Sequence, residues 1–264
     1  MTWFALYMAT GALVGFLAGL LGIGGGMTMI PILAALFSAQ HFAPDHVVHL
    51  SLATAMASVM FTSSSSVAEH TKLGSVDFAV VKRMVPGMVA GTLLSTVAAG
   101  SIEQRHLALA FAVIVFGGAT QILLNKKPQP GRTLPGPLPL SAFALLVGVV
   151  SGLVSAGGAF LTMPFMVMCG VPMRTAIGTG AALGIPVAII GTVGHVISGW
   201  TTSGLPPWSL GFVNLPALAG LVVTSVLIAP YGARMAHRLP IVTLKRIFAT
   251  SLYLLAAKMM ITYW

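Results

Sequence analysis

Apolar residues along the chain fall into eight runs, at 5 to 37, 47 to 68, 84 to 100, 107 to 124, 138 to 169, 175 to 198, 209 to 231 and 247 to 262, separated by short polar intervals. Most have the ~17 to 25 residues that one membrane-spanning helix needs. Two are too long. As single helices, 5 to 37 and 138 to 169 would reach about 48 Å, against a hydrocarbon core of about 30 Å. Each carries consecutive glycines where the excess length falls: four of the five positions from Gly22 to Gly26 in the first, Gly157 and Gly158 in the second. Glycine frees the backbone and weakens a helix. Each long run is therefore expected to form two shorter helices joined by a break.

The two long runs are copies of one another. "GFLAGLLGIGGGMTMIP" at 15 to 31 and "GVVSGLVSAGGAFLTMP" at 148 to 164 align at a shift of 133, pairing Gly15 with Gly148, Gly19 with Gly152, Gly24 with Gly157, Gly25 with Gly158 and Pro31 with Pro164. At a shift of 125, Thr54 pairs with Thr179 and His70 with His195. The interval "NKKPQPGRTLPGP" is basic, rich in Pro and Gly, and too short to fold alone. The division expected is a first membrane repeat at 1–124, a linker at 125–137 and a second membrane repeat at 138–264. Each repeat would hold one glycine-broken helix pair and three spanning helices.

Composition agrees with this pattern and narrows the function. Hydrophobic residues make up 57% of the chain and charged residues only 6%, where soluble domains carry about 25% charge. This is the composition of an all-α integral membrane protein. The formal charge of +9 belongs to short loops facing the cytoplasm and calls for no nucleic-acid partner. If each glycine-motif run enters and leaves on one face, Lys72, Lys82, Arg83, Lys126, Lys127, Arg132, Arg174, Arg234, Arg238, Lys245 and Arg246 share one side, and Arg105 stands alone on the other. Eight simple spans would divide the basic residues evenly. The skew favours inverted-topology repeats with both termini outside. The N-terminus lacks the charged region and cleavage site of a secretory signal, so no segment is expected to be removed.

A broken helix exposes backbone N–H groups at the start of its second piece, where the helix dipole is positive. Two such ends can hold an anion near the midplane without a charged side chain. The candidates are Gly24, Gly25, Gly26 and Met27 in the first half and Gly157, Gly158, Ala159 and Phe160 in the second, with hydroxyls from Thr28, Thr162, Thr54, Thr179 and Ser155. Gly11, Gly15, Gly19, Gly148 and Gly152 have the spacing that lets spanning helices pack closely. His70 and His195 have two readings, proton coupling or interfacial packing. Ser63 to Ser66 either line a wet path or bond their own helix. Glu69 beside Lys72 reads as an interface ion pair. The lone cysteine, Cys169, and seven scattered histidines give no metal-ligand spacing and imply no cofactor.

Together, "GFLAGLLGIGGGMTMIPIL" with its degenerate second copy, "LATAMASVMFTSSSSVAEHTKLGSVD" at 52 to 77 and "AIGTGAALGIPVAIIGTVGHVISG" at 176 to 199 resemble the TauE/SafE sulfite exporter family over most of the chain. The resemblance implies a plasma-membrane secondary transporter of small sulfur-containing anions such as sulfite, sulfoacetate or related sulfonates, coupled to an ion gradient by a proton or another cation. The sequence departs from the family's pattern at Ser155, where the first copy has Gly22, and at Ala159, where it has Gly26. A second half-site that is narrower or richer in hydroxyls is implied.

Three other classes compete. An anion channel, or a carrier of another small organic anion, could use the same helix ends. An intramembrane hydrolase with Ser155 as nucleophile and His195 as base lacks a nucleophile-elbow string and an acidic orienter. A structural protein has no need of two matched breaks. The expectation is a transporter without catalytic residues, whose oligomeric state the sequence does not set.

Overall fold

A computed structural model describes residues 2–22, 25–99, 101–124, 133–155 and 157–240, with separate helical positions between 242 and 261. The described helices are α1 (Thr2–Leu21), α2 (Gly26–Ala39), α3 (Val47–Lys72), α4 (Phe78–Ala99), α5 (Gln104–Leu124), α6 (Pro137–Leu153), α7 (Ala159–Met168), α8 (Met173–Gly199) and α9 (Leu215–Ala236). Among the described residues α1, α3 with the 3-10 turn before it, α4, α8 and α9 are long and apolar enough to cross a membrane. Among the described residues the one β-structure is a two-residue ladder between β1 (Ser209–Leu210) and β2 (Val213–Asn214).

Both overlong runs are broken. α1 stops at Leu21 and α2 starts at Gly26; α6 stops at Leu153 and α7 starts at Ala159. The chain turns through left-handed backbone at matched positions, Gly22 (φ 68°) and Gly25 (φ 77°) in one copy, Ser155 (φ 46°) and Gly158 (φ 78°) in the other. Each pair folds back on itself. At the far end of α2, Gln40 donates to the Tyr7 hydroxyl near the start of α1 at 2.6 Å. Phe165 of α7 stacks on Phe143 near the start of α6, their centroids 4.1 Å apart.

The first helix of each hairpin packs on the other half and the second on its own: α1 lies along α9 and α6 along α4, whereas α2 packs on α3 and α7 on α8, with α3 crossing α8 between them. The α1–α9 and α4–α6 contacts are backbone to backbone. A Cβ on Gly15 would run into the Ser225 backbone and one on Gly19 into the Ala229 carbonyl, while one on Gly148 would meet the Met88 carbonyl and one on Gly91 that of Leu145. Small residues give membrane helices this approach, because apolar side chains gain little by leaving lipid.

The bundle has two polar ends. At one, the His49 imidazole donates through Nε2 to the Ala99 carbonyl at 3.2 Å. At the other, Arg234 donates to Glu69 at 2.7 Å and Arg174 to the His237 carbonyl at 3.1 Å. The sequence paired Glu69 with Lys72; that contact exists at 3.8 Å, but Arg234 is the nearer partner and ties α3 to α9. α2 leads into the turn before α3 at the His49 end, and α7 leads into the start of α8 beside Arg174 at the Glu69 end.

Candidate functional site

The breaks create two helix starts with nothing to cap them. Gly25 and Gly158 are the N-cap residues of α2 and α7, and neither start has a side-chain cap. The first bonds of α2 run from Thr28 and Met29 to the Gly25 carbonyl, and those of α7 from Leu161 and Thr162 to the Gly158 carbonyl. The amides of Gly26, Met27, Ala159 and Phe160 have no partner among the described residues. The Thr28 hydroxyl donates to the Gly25 carbonyl at 2.8 Å and that of Thr162 to the Gly158 carbonyl at 3.2 Å, so both brace the turn beneath the free amides. Gly24 lies outside the described residues.

Each start lies against the other copy's break. A Cβ on Gly26 would collide with the Ser155 carbonyl, and the Ala159 methyl packs against Gly180 of α8, which also faces the Gly22 carbonyl. The two copies thus bring their positive helix ends to one buried place, where partial charges act with little screening. The mismatches noted in the sequence fall at this junction.

Buried hydroxyls surround the second break. Ser151 Oγ lies 3.2 Å from the position a Gly158 Cβ would take, and Ser63 Oγ and the Gly157 carbonyl both face Gly184. Ser58, Ser63, Ser66 and Ser151 are all buried with no hydrogen-bond partner for their hydroxyls among the described residues. Leaving a buried donor unmade costs about 1–3 kcal/mol, so such groups mark where water or a ligand completes the bonding. Ser151 has no signal of its own in the sequence, because a lone serine in an apolar run reads as packing.

Thr54 and Thr179 serve the opposite half. Thr54 Oγ1 accepts from the Asn214 amide at 3.0 Å, and Thr179 Oγ1 from the Asp77 amide at 2.9 Å. Asn214 caps α9 by accepting from the Ala217 amide, and Asp77 caps α4 by accepting from the Ala79 and Val80 amides. The segments are a third repeat, "LGSVD" at 73 to 77 and "LGFVN" at 210 to 214, at a shift of 137. Each threonine therefore fixes where a helix of the other half begins.

His70 and His195 go to different neighbourhoods. Through Nε2, His70 contacts the Gly19 carbonyl at 3.2 Å, and its Nδ1 lies 3.1 Å from Ser75 Oγ. The His237 ring is 6.0 Å away; burial, then the charge of Arg174, hold that imidazole below the ordinary histidine range. His195 Nε2 lies 3.4 Å from Ser155 Oγ, and its Nδ1 is buried without a partner. Ser155 and His195 are thus together, and no acid orients the histidine among the described residues.

A protein-family model described as sulfite exporter TauE/SafE matches residues 7–259. A probable membrane transporter protein of Haemophilus influenzae is 32% identical over 259 residues, covering 98% of both chains. One of Bacillus subtilis, YdhB, is 28% identical over 88% of this chain and 90% of its own. A third, of Methanocaldococcus jannaschii, is 23% identical over 89% of this chain and 86% of its own. No solved structure matches the chain.

Proposed function

Because this chain belongs to the TauE/SafE sulfite exporter family and is a multi-pass membrane transporter, not an enzyme, we propose that it is a secondary carrier, working as an exporter, of small sulfur-containing anions such as sulfite or organosulfonates. The anion sits where the breaks converge, held by the amides of Gly26, Met27, Ala159 and Phe160. The observation that carries this reading is the abutment of Gly26 on Ser155, with Ala159 and the Gly22 carbonyl both facing Gly180, which sets each uncapped helix start against the other copy's break. A tetrahedral or pyramidal oxyanion presents several acceptor oxygens to such converging donors. Ser151 and Ser63 add hydroxyls on the α7 side.

The carrier form rests on how the hairpins enter. α1–α2 and α6–α7 come from opposite ends and meet tip to tip. The site's two sides are then closed by different elements, which alternating access requires. We place the protein in the plasma membrane as two inverted repeats, 1–124 and 138–264 about the 125–137 linker, with both termini outside.

The test is uptake of sulfite, sulfoacetate, thiosulfate and short carboxylates into liposomes carrying the purified protein. Saturable uptake of a sulfur anion is expected. Ser151→Ala and Ser63→Ala should each raise its half-saturation about 5- to 10-fold through lost hydrogen bonds. Because these hydroxyls hold nothing in the protein, melting should be nearly unchanged. No flux of any sulfur anion, or wild-type half-saturation in both variants, would refute the proposal.

A further inference from the structure

Three histidines lead from one end of the bundle to the second break. His46 is half-buried in the turn before α3, His49 follows at 6% exposure, and His195 is fully buried in α8. Phe212 of the β1–β2 turn joins them. His49 stacks on its ring at 5.1 Å, His46 lies 6.3 Å from it, and the ring packs against Gly199, one helical turn beyond His195. His49 is within electrostatic reach of both His46 and His195. The row ends where His195 Nε2 faces Ser155 Oγ at 3.4 Å, and the Ser155 carbonyl abuts Gly26.

The nitrogen chemistry suits passage. His49 donates through Nε2 to the Ala99 carbonyl, which fixes its tautomer and leaves Nδ1 as a base. That Nδ1 and the Nδ1 of His195 are both buried without a partner. A purely structural histidine would bond both nitrogens or be replaced by an apolar ring. The other ionisable groups nearby are His41 beyond α2, Asp45 beside His46, and Glu103, Arg105 and His106 beyond Ala99; α6, α7 and the β1–β2 turn carry none, and Arg174 lies at the opposite end of α8. Asp45 and Glu103 lie only at the outer end of the row, and neighbouring imidazoles disfavour double charging, so one proton at a time can occupy it.

We propose that His46, His49 and His195 form a proton route from this end of the bundle to Ser155 at the anion site. An N–H bond forms on His49 as the proton leaves His46. An N–H bond then forms on His195 as that of His49 breaks, and His195 returns to neutral by releasing the proton at the site, to water or to the anion. The inference rests on the anion-carrier reading for the use made of that proton, and it specifies the coupling ion.

Liposomes with an entrapped pH dye and labelled sulfoacetate test it, since this sulfonate keeps its charge near neutral pH. Wild-type protein should move protons with sulfoacetate under an imposed pH gradient. His49→Gln keeps a donor for the Ala99 carbonyl but cannot carry the proton. It should lose proton movement about tenfold or more, while sulfoacetate exchange at equal pH persists; His195→Gln should lose proton movement likewise, and His106→Gln should not. Wild-type proton-to-anion ratios in both His49→Gln and His195→Gln would overturn the route. If the wild type moves none of the sulfur anions, the anion reading fails by itself, and 15N NMR of the histidines still decides the route. The ring 15N signals of His195 should then change in His49→Gln, and unchanged signals would overturn the route.

Discussion

Ser155 and Gly22 hold matched places in the two copies and share left-handed backbone, at φ 46° and 68°. A residue with a Cβ pays about 1–2 kcal/mol for that region, so Ser155 is strained where Gly22 is not. Space separates them further, because a Cβ on Gly22 would run into the Ile177 carbonyl. Gly22→Ser should destabilise the detergent-solubilised protein by about 2–4 kcal/mol, strain and overpacking together. Ser155→Gly should stay within about 1 kcal/mol of wild type, since relief of strain offsets loss of the 3.4 Å contact to His195. Melting followed by tryptophan fluorescence reads both, and a larger loss for Ser155→Gly would refute the strain argument. At this scale the sequence pointed to the capping glycines Gly25 and Gly158 because duplication marked them. It said nothing of Ser151, whose meaning comes from what fails to contact it, a three-dimensional property. It likewise paired Glu69 with the sequence neighbour Lys72, because Arg234 comes near only once α9 has packed on α3.

Among elements, run length and glycine content were enough to locate both breaks, since an apolar segment of more than thirty residues has no single-helix solution in a bilayer. Which helices pair was not legible: α1 with α9 and α4 with α6 cross between the halves. The third repeat was hidden for a related reason. The shift changes from 133 to 125 to 137 because the loops lengthen and shorten independently of the spans, as between residues 73 to 77 and 200 to 214. Loop length costs little, so it drifts, whereas the caps Asp77 and Asn214 are held by Thr179 and Thr54. The cross-half packing predicts a contrast among glycines. Gly15→Ala and Gly148→Ala push a methyl into the backbone of a neighbouring helix and should each cost about 1–3 kcal/mol. Gly117→Ala on α5 meets nothing within 4 Å and should be neutral or stabilising by up to about 1 kcal/mol. Equal melting temperatures in all three would mean that α1 and α6 do not pack where the structure puts them.

For the whole molecule, the two polar ends differ in the charges they carry. The end holding Glu69 also holds Lys72, Arg174, Arg234 and Arg238, whereas the end holding His49 carries Arg105 with Glu103 and the histidines His41, His46 and His106. Short loops rich in Lys and Arg stay on the cytoplasmic side, so the Glu69 end should face the cytoplasm and the hairpin α1–α2 should enter from outside. Exposed positions at each end test this in a Cys169→Ala background, which removes the chain's single cysteine. Gly74, at the Glu69 end, and Gly204, at the His49 end, each have open space around a would-be side chain but left-handed backbone, at φ 65° and 79°, so a cysteine there should cost about 1–2 kcal/mol and leave the fold intact; Ser101 is an exposed third site beyond α4. Gly204→Cys and Ser101→Cys should react with an impermeant maleimide on intact cells, and Gly74→Cys only after the membrane is opened. Labelling of Gly74→Cys from outside would reverse the orientation. Labelling of Gly204→Cys and Ser101→Cys from opposite sides would break the shared end itself, and with it the argument that the two hairpins approach one site from opposite faces.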